Sequence, residues 1–193
     1  MGLYLAPASS ENIQESLISG IDISIAEKFL PNFEFDKLKE LLDVEKKFHC
    51  WAMTENSRSI FEKMEEGDVI LFAEKGTGFF TYQAETFFTI ENEELGNHLW
   101  SYVPRGSWKL IYFVTNIQEI RINKSVLVTA LGYKSNYEVP GIIRVKESSF
   151  DEYGSIQSLL DICIKQNNNT VGKIPVRLKI SAGKERLNYE NQD

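Results

Sequence analysis

Residues 48–72 read FHCWAMTENSRSIFEKMEEGDVILF and change periodicity twice. Residues 48–53 are rich in aromatic and sulfur side chains, which predicts a strand, and the TENS tetrapeptide that follows supplies turn and helix-capping side chains. Residues 57–64 then predict a short helix, and the apolar run at 69–73 predicts a second strand. This strand–helix–strand order indicates a domain of mixed α and β structure.

The same alternation continues to residue 145. The EKGTG segment after the second strand predicts a hairpin turn, because glycine adopts the positive φ that tight turns need. Apolar periodicity predicts strands at 79–88, 108–115 and, after a bend, 117–122 and 141–145, with helices at 92–100 and 124–131, the latter ended by Gly132. We therefore expect an α+β fold: a curved sheet or small barrel of about five strands flanked by helices.

Shorter elements are predicted on either side of this region. They are a strand at 3–5, helices at 9–20 and 36–43, a helix at 155–165, a polar loop at 166–170 and a strand at 174–180. The predicted organisation is an N-terminal helical extension packing on the core at 1–46, a central domain at 47–145, and a C-terminal helix and strand at 146–193.

The charge of the chain limits how it could meet nucleic acid. The 193 residues carry a formal net charge of −7. Coating nucleic acid through bulk electrostatics needs many phosphate-neutralising Lys and Arg side chains, so the net charge argues against that mode. Acidic residues dominate up to about Glu94, whereas basic residues outnumber them toward the C-terminus. A small local basic surface is compatible with this asymmetry, and so is an ordinary solvated face.

The sequence also indicates a compartment. The longest apolar runs are of strand length, far below the roughly 20 residues that a membrane-spanning helix requires. The N-terminal MGLYLAP lacks the basic and long apolar segments of a secretion signal. The two cysteines, Cys50 and Cys163, lie in apolar surroundings that favour buried free thiols. We expect a cytoplasmic protein without a membrane span.

Signatures of catalysis and metal binding are missing. The GK pair at 172–173 lacks the earlier glycine of a phosphate-binding loop, and the GTG segment at 76–78 joins two predicted strands. His49 and Cys50 point to opposite faces of a strand, which excludes a nucleophile and its base. The histidines and cysteines have no zinc-ligand spacing. The sequence predicts no enzyme activity, no cofactor and no metal.

Three tryptophans lie close together in the central region. Trp51 lies in a predicted strand, Trp100 at a helix end beside a polar segment, and Trp108 at the start of an apolar strand. For Trp51 and Trp100 both core packing and contact with a flat aromatic ligand are open, whereas the position of Trp108 favours core packing.

The order and spacing of several runs in this region resemble a known family. The runs are FHCWAM at 48–53, NSRSIF at 56–61, MEEGDVILF at 64–72, FTYQAE at 80–85, LW at 99–100, WKLIYF at 108–113, LGY at 131–133 and PG at 140–141. Over about residues 47–145 they are similar to an EVE-type domain of the PUA-like superfamily, as in the N-terminal reader domain of McrB-like modification-dependent restriction proteins. The superfamily includes the YTH domains, which read N6-methyladenine in RNA.

The resemblance implies a site that binds a modified base flipped out of its stack. Stacking on an aromatic side chain contributes about 1–3 kcal/mol per base, which offsets the few kcal/mol that unstacking costs. A methyl group adds roughly 0.8 kcal/mol of apolar burial. By resemblance, Trp51 and Trp100 are cage walls, Tyr102 and Tyr133 candidate third walls, Thr54, Asn56 and Ser57 base-edge contacts, and Arg58, Lys75, Arg105, Lys109 and Lys134 phosphate contacts.

The function implied is that of a non-catalytic reader of a methylated base in DNA, with N6-methyladenine expected. The resemblance also implies that a GTP-hydrolysing AAA+ motor follows Asp193 and that a nuclease subunit is the partner. Three alternatives are open. They are a YTH-like reader of methylated RNA, a sensor of small molecules, and an interaction domain in which Trp51 and Trp100 serve only the core.

Overall fold

Seven strands form one open, curved sheet in the computed structural model, which describes residues 1–40, 42, 46–100 and 107–171. The strands are β1 (Leu3–Ala8), β2 (Ile21–Asp22), β3 (Lys47–Met53), β4 (Val69–Glu74), β5 (Phe79–Glu91), β6 (Leu110–Asn123) and β7 (Ile143–Arg144). Their order is β2-β3-β6-β5-β4-β1-β7, and only the β1–β4 pair is parallel within this described sheet. The predicted α+β class with a curved sheet is confirmed, with seven strands instead of about five.

Helices lie on both faces of the sheet. They are α1 (Ser10–Asn12), which continues into a π-helical segment (Ile13–Ile18), α2 (Ile23–Phe29), α3 (Asn32–Lys39), α4 (Arg58–Phe61), α5 (Glu93–Leu99), α6 (Lys124–Ala130) and α7 (Ile156–Val171). Asparagine side chains cap two of them: Asn92 Oδ1 accepts from the Leu95 N–H at 2.8 Å, and Asn123 Oδ1 accepts from the Ser125 N–H at 2.9 Å. These caps explain why both helices begin where the sequence predicts.

β1 is an inner strand of the sheet, because it lies between β4 and β7. Its residues alternate between two cores. Leu3 and Leu5 pack with the apolar faces of α6 and α7, whereas Tyr4 and Ala6 pack on the other face with Trp51. The strand predicted at 3–5 is therefore confirmed and extends to Ala8. The predicted division of the chain at residue 46 stays a prediction.

A bend in β6 was also predicted and is observed. Asn116 has a φ of 50°, and the register against β5 shifts at several points along the pair. The Asn116 Nδ2 group donates to Glu85 Oε2 at 2.8 Å, which ties the bend to β5. Asparagine tolerates a positive φ better than most residues, so the sequence suits the bend.

Several predicted helix boundaries were wrong. α3 begins at Asn32 rather than residue 36, and α2 was not predicted; residues 41 and 43–45 lie outside the described residues. The helix predicted at 57–64 is a 3₁₀ turn (Glu55–Ser57) followed by the single turn of α4.

The polar loop predicted at 166–170 is helical, because α7 runs to Val171. Asn167 is buried, and its Nδ2 group donates to the Arg121 carbonyl at 3.2 Å. This tertiary hydrogen bond favours the helix over a polar loop. The strand predicted at 174–180 lies outside the described residues.

The close approach of α5 to the start of β6 depends on Gly96, which is buried. A Cβ atom at this position would overlap the Trp108 carbonyl oxygen and lie 2.8 Å from its carbonyl carbon. Backbone atoms cannot rotate away as a side chain can, so residue 96 has room only for hydrogen.

We expect Gly96→Ala to lower the free energy of unfolding by about 1–3 kcal/mol, since the added methyl overpacks against backbone. Urea denaturation followed by circular dichroism measures the change. Glu94→Ala, at an exposed position of the same helix, is the control and should stay within about 0.5 kcal/mol of wild type. Equal stability of Gly96→Ala and wild type would contradict the packing described.

Both cysteines are buried free thiols, as predicted, and burial raises the pKa of Cys163 to about 11 and that of Cys50 further. Because the thiolate is the reactive form, neither should react with Ellman's reagent at pH 8 in the native protein. Both should react in guanidinium chloride. Rapid reaction of one thiol without denaturant would show that its native environment is more open than described.

Candidate functional site

A cavity of about 450 Å³ lies where the C-terminal ends of β1 and β3 and the first residues of β6 come close together. The volume falls within the roughly 300–1,000 Å³ of small-molecule sites. The walls are mainly apolar, from Ala6 to Ala8 on one side and from Trp51 to Met53 on another. Its lining residues come from two apolar clusters on opposite faces of the sheet, one with Trp51 and Tyr112 and the other with Ala52 and Trp100.

All three tryptophans line this cavity. Trp51 and Trp100 are 8% and 7% exposed, and Trp108 is half-buried. The Trp51 ring packs against the ring of Phe72, with the ring centroids 5.1 Å apart and the ring planes at 58°. Trp108 packs against the apolar cluster around Phe113, as predicted, but it also forms part of the cavity wall, which the sequence did not indicate.

One backbone hydrogen bond ends α5 at Trp100, and another joins α5 to the segment that holds Trp108. The N–H of Trp100 donates to the Gly96 carbonyl at 3.0 Å at the end of α5, and the N–H of Asn92 donates to the Lys109 carbonyl at 2.8 Å. The Asn92–Lys109 bond and the close approach at Gly96 together hold α5 against the segment that leads into β6.

β3 and β6 pair so that Trp51 lies directly opposite Tyr112. Directly opposed residues of antiparallel strands project to the same face, and both side chains belong to the same apolar cluster. Tyr112 is fully buried and lines the cavity. No local sequence pattern marks Tyr112 as a cavity residue, because its pairing with Trp51 joins residues more than fifty positions apart.

The polar rim includes three of the predicted residues. Thr54, Ser57 and Lys75 line the cavity, whereas Asn56 is exposed and lies outside the lining. The Ser57 N–H donates to the Thr54 carbonyl at 2.9 Å, which fixes the turn after β3. Lys75 is exposed in the β4–β5 turn, and its N–H donates to the Ala8 carbonyl at 2.9 Å.

Arg58 and Lys109 are held in ion pairs beside the cavity. Arg58 binds Glu55 through two hydrogen bonds and Glu91 at 2.9 Å, and Lys109 Nζ lies 3.2 Å from Glu55 and 2.9 Å from Glu91. The hydrogen bond from Arg58 lowers the pKa of the Glu55 carboxyl to about 2 and also lowers the pKa of Glu91. Two cations and two anions therefore balance in this cluster, which we call the rim tetrad.

Other predicted residues lie elsewhere. Tyr133 stacks on Tyr137, with centroids 4.7 Å apart and planes at 20°, and packs with the cluster around Leu3 on the opposite face of β1. Tyr133 is therefore not a wall of this cavity. Lys134 is exposed beside it. Tyr102 and Arg105 lie outside the described residues.

Two buried polar atoms belong to residues of the cavity wall. The Tyr112 hydroxyl and the Trp108 Nε1–H make no hydrogen bond within the described part of the chain. Burial raises the pKa of the Tyr112 hydroxyl well above its ordinary value of 10. The hydroxyl therefore stays neutral and protonated at physiological pH.

Neither a metal cluster nor a membrane helix is found in the described ranges. No group of three or more His, Cys, Asp or Glu side chains there could hold a metal ion. No helix there is long and apolar enough to cross a membrane.

No protein-family model and no curated protein matches the chain. Among solved structures, it is similar to the N-terminal domain of Thermococcus gammatolerans McrB bound to m5C DNA. The TM-score is 0.61 at 18% identity, covering 84% of this chain and 96% of that one. The YTH domain of Zygosaccharomyces rouxii MRB1 in complex with N6-methyladenosine RNA gives a TM-score of 0.40 at 12% identity, covering 78% and 83%. The predicted resemblance is confirmed at the level of the fold: the chain has the fold of the McrB N-terminal domain.

Proposed function

We propose that this domain is a non-catalytic reader that binds a methylated base, flipped out of DNA, in the cavity between its three tryptophans. The observation that carries the proposal is that Trp51 in β3, Trp100 directly after α5 and Trp108 just before β6 line one cavity. Core packing alone does not account for indoles around an open space, because protein interiors are close-packed.

Stacking supplies the energy for this mode of binding. Each base stacked on an aromatic side chain gains about 1–3 kcal/mol, so two indole faces offset the few kcal/mol that flipping costs. Burial of the methyl group adds roughly 0.8 kcal/mol, close to a fourfold preference over the unmodified base. Selectivity for the methylated base is then a packing effect of the apolar wall.

The choice of DNA is supported by the McrB domain, whose fold this chain shares and which was solved bound to m5C DNA. The resemblance of the sequence to the EVE and YTH domains implies N6-methyladenine, so 5-methylcytosine and N6-methyladenine are the two bases to test. As part of the same proposal, the domain serves as the specificity module of a cytoplasmic restriction system with an AAA+ motor and a nuclease subunit.

Phosphate contacts are few in this proposal. Of the predicted cations that the structure describes, Lys75 is the one that both lines the cavity and lacks an ion-pair partner among the described residues. Arg58 and Lys109 already bind carboxylates in the rim tetrad. A small footprint agrees with the net charge of −7, because each phosphate contact must work against a negative protein.

The proposal is tested by fluorescence anisotropy with labelled DNA duplexes that are unmodified or carry one 5-methylcytosine or N6-methyladenine. Wild type should prefer one methylated duplex. Trp100→Ala should weaken that complex by about 1–3 kcal/mol, since it removes one stacking face. Phe33→Ala is the matched control, because Phe33 is 77% exposed on α3 and lies outside the cavity lining.

The outcomes separate the alternatives, with circular dichroism showing that each variant is folded. Equal binding to all duplexes, or binding unaffected by Trp100→Ala, contradicts the proposal. Preference for a methylated RNA strand over its DNA counterpart would replace it with an RNA reader. Loss of folding in Trp100→Ala and Trp51→Ala, without methyl-dependent binding by wild type, would assign the indoles to the core.

The rim tetrad gives a second prediction. Glu91→Gln removes one carboxylate from both Arg58 and Lys109 and leaves Glu55 as their shared partner, so the tetrad gains one net positive charge that phosphate can neutralise. Affinity at low salt should rise for methylated and unmodified duplexes alike, and the slope of log K against log salt should steepen by about 1 for each new contact. Glu94→Gln makes the same charge change at an exposed position of α5. Equal effects of both variants would indicate that the affinity for DNA responds to the net charge of the protein and not to a local change in the tetrad.

A further inference from the structure

We infer that the Tyr112 hydroxyl and the Trp108 indole N–H are the hydrogen-bond donors that read the edge of the bound base. This inference rests on the proposed function and adds to it the chemistry of recognition. Both residues line the cavity, so the ligand must present acceptor atoms, either ring nitrogens or a carbonyl oxygen, toward the Tyr112 hydroxyl and the Trp108 N–H.

Two polar groups of the cavity wall are buried without a hydrogen-bond partner among the described residues. Buried tyrosine hydroxyls and indole N–H groups normally find hydrogen-bond partners, because an unpaired buried donor loses its hydration and gains nothing. The Tyr112 hydroxyl and the Trp108 Nε1 have no partner in the described ranges. Among the unpartnered buried atoms there, these two belong to residues of the cavity wall.

The packing of the Tyr112 side chain does not require its hydroxyl group. Tyr112 is fully buried in β6, opposite Trp51, and its ring packs in an apolar cluster. A phenylalanine would fill nearly the same space and would avoid the unpaired hydroxyl. The hydroxyl therefore contributes nothing to packing, and an acceptor brought by a ligand would supply the missing partner.

The Trp108 N–H and the Tyr112 hydroxyl can both donate a hydrogen bond to a base. An indole N–H only donates, whereas a neutral tyrosine hydroxyl both donates and accepts. Nucleobases carry ring nitrogens and carbonyl oxygens as acceptors on their edges, and a flipped base exposes its Watson–Crick edge to the enclosing pocket. A site with buried donors discriminates strongly against ligands that lack matching acceptors, because the donors then stay unpaired. The faces of Trp51 and Trp100 thus bind the base by stacking, and the two donors select its edge.

The test is Tyr112→Phe, which removes one oxygen atom and little else. The free energy of unfolding should be unchanged or increased, while the affinity for the preferred methylated duplex should fall roughly five- to tenfold. Tyr82→Phe is the matched control, since Tyr82 lies in β5 outside the cavity lining. Urea denaturation and fluorescence anisotropy give the two measurements on the same preparations.

A second measurement follows Trp108 directly. In a ¹⁵N-labelled sample, the indole signal of Trp108 is assigned by its loss in Trp108→Phe. A new hydrogen bond to the base should move this signal downfield when the methylated duplex is added, and the unmodified duplex should move it less.

Each outcome separates this inference from the proposed function. If Trp100→Ala abolishes methyl-dependent binding but Tyr112→Phe binds like wild type, the inference is wrong and the reader function stands. If Tyr112→Phe lowers stability and affinity together, the hydroxyl serves the fold, and the inference is again wrong. If wild type shows no methyl preference, both fail.

Discussion

The antiparallel pairing of β3 with β6 is the interaction on which the candidate site depends. It places Trp51 opposite Tyr112 on one face of the pair and Cys50 opposite Phe113 on the other, and the cavity lies at the end of the pair where the apolar clusters of both faces meet. A slip of one residue would exchange the two faces and turn Trp51 away from the cavity. The buried apolar faces on both sides of the pair therefore define the register and, through it, the site.

The second constraint is the absence of a side chain at Gly96. It allows α5 to lie against the backbone of Trp108, and the hydrogen bonds of Asn92 and Trp100 then fix both ends of the helix. As a result, two indoles separated by eight positions in the chain face one cavity from different elements. A helix held by side-chain packing alone would leave this wall less precisely ordered, and stacking on a base requires parallel, well-placed faces.

An acidic protein can read nucleic acid if binding relies on a pocket more than on phosphates. The rim tetrad balances Arg58 and Lys109 with Glu55 and Glu91, which limits non-specific attraction to DNA. In the proposed reader, the apolar wall and its buried donors then carry most of the discrimination. Specificity is a difference of affinities, so weakening non-specific contacts raises selectivity as effectively as strengthening specific ones.

Local sequence patterns were sufficient for most of the elements, because helix and strand periods, asparagine caps and glycine turns depend on near neighbours. They predicted β3, the bend in β6 and the end of α6, and the resemblance drew attention to Trp51 and Trp100. Only the tertiary structure shows that Trp108 and Tyr112 line the same cavity. It also shows that Tyr133 packs on the opposite face of β1, in the cluster around Leu3. Strand register and the packing of α5 are contacts between residues far apart in the chain, which no local pattern encodes.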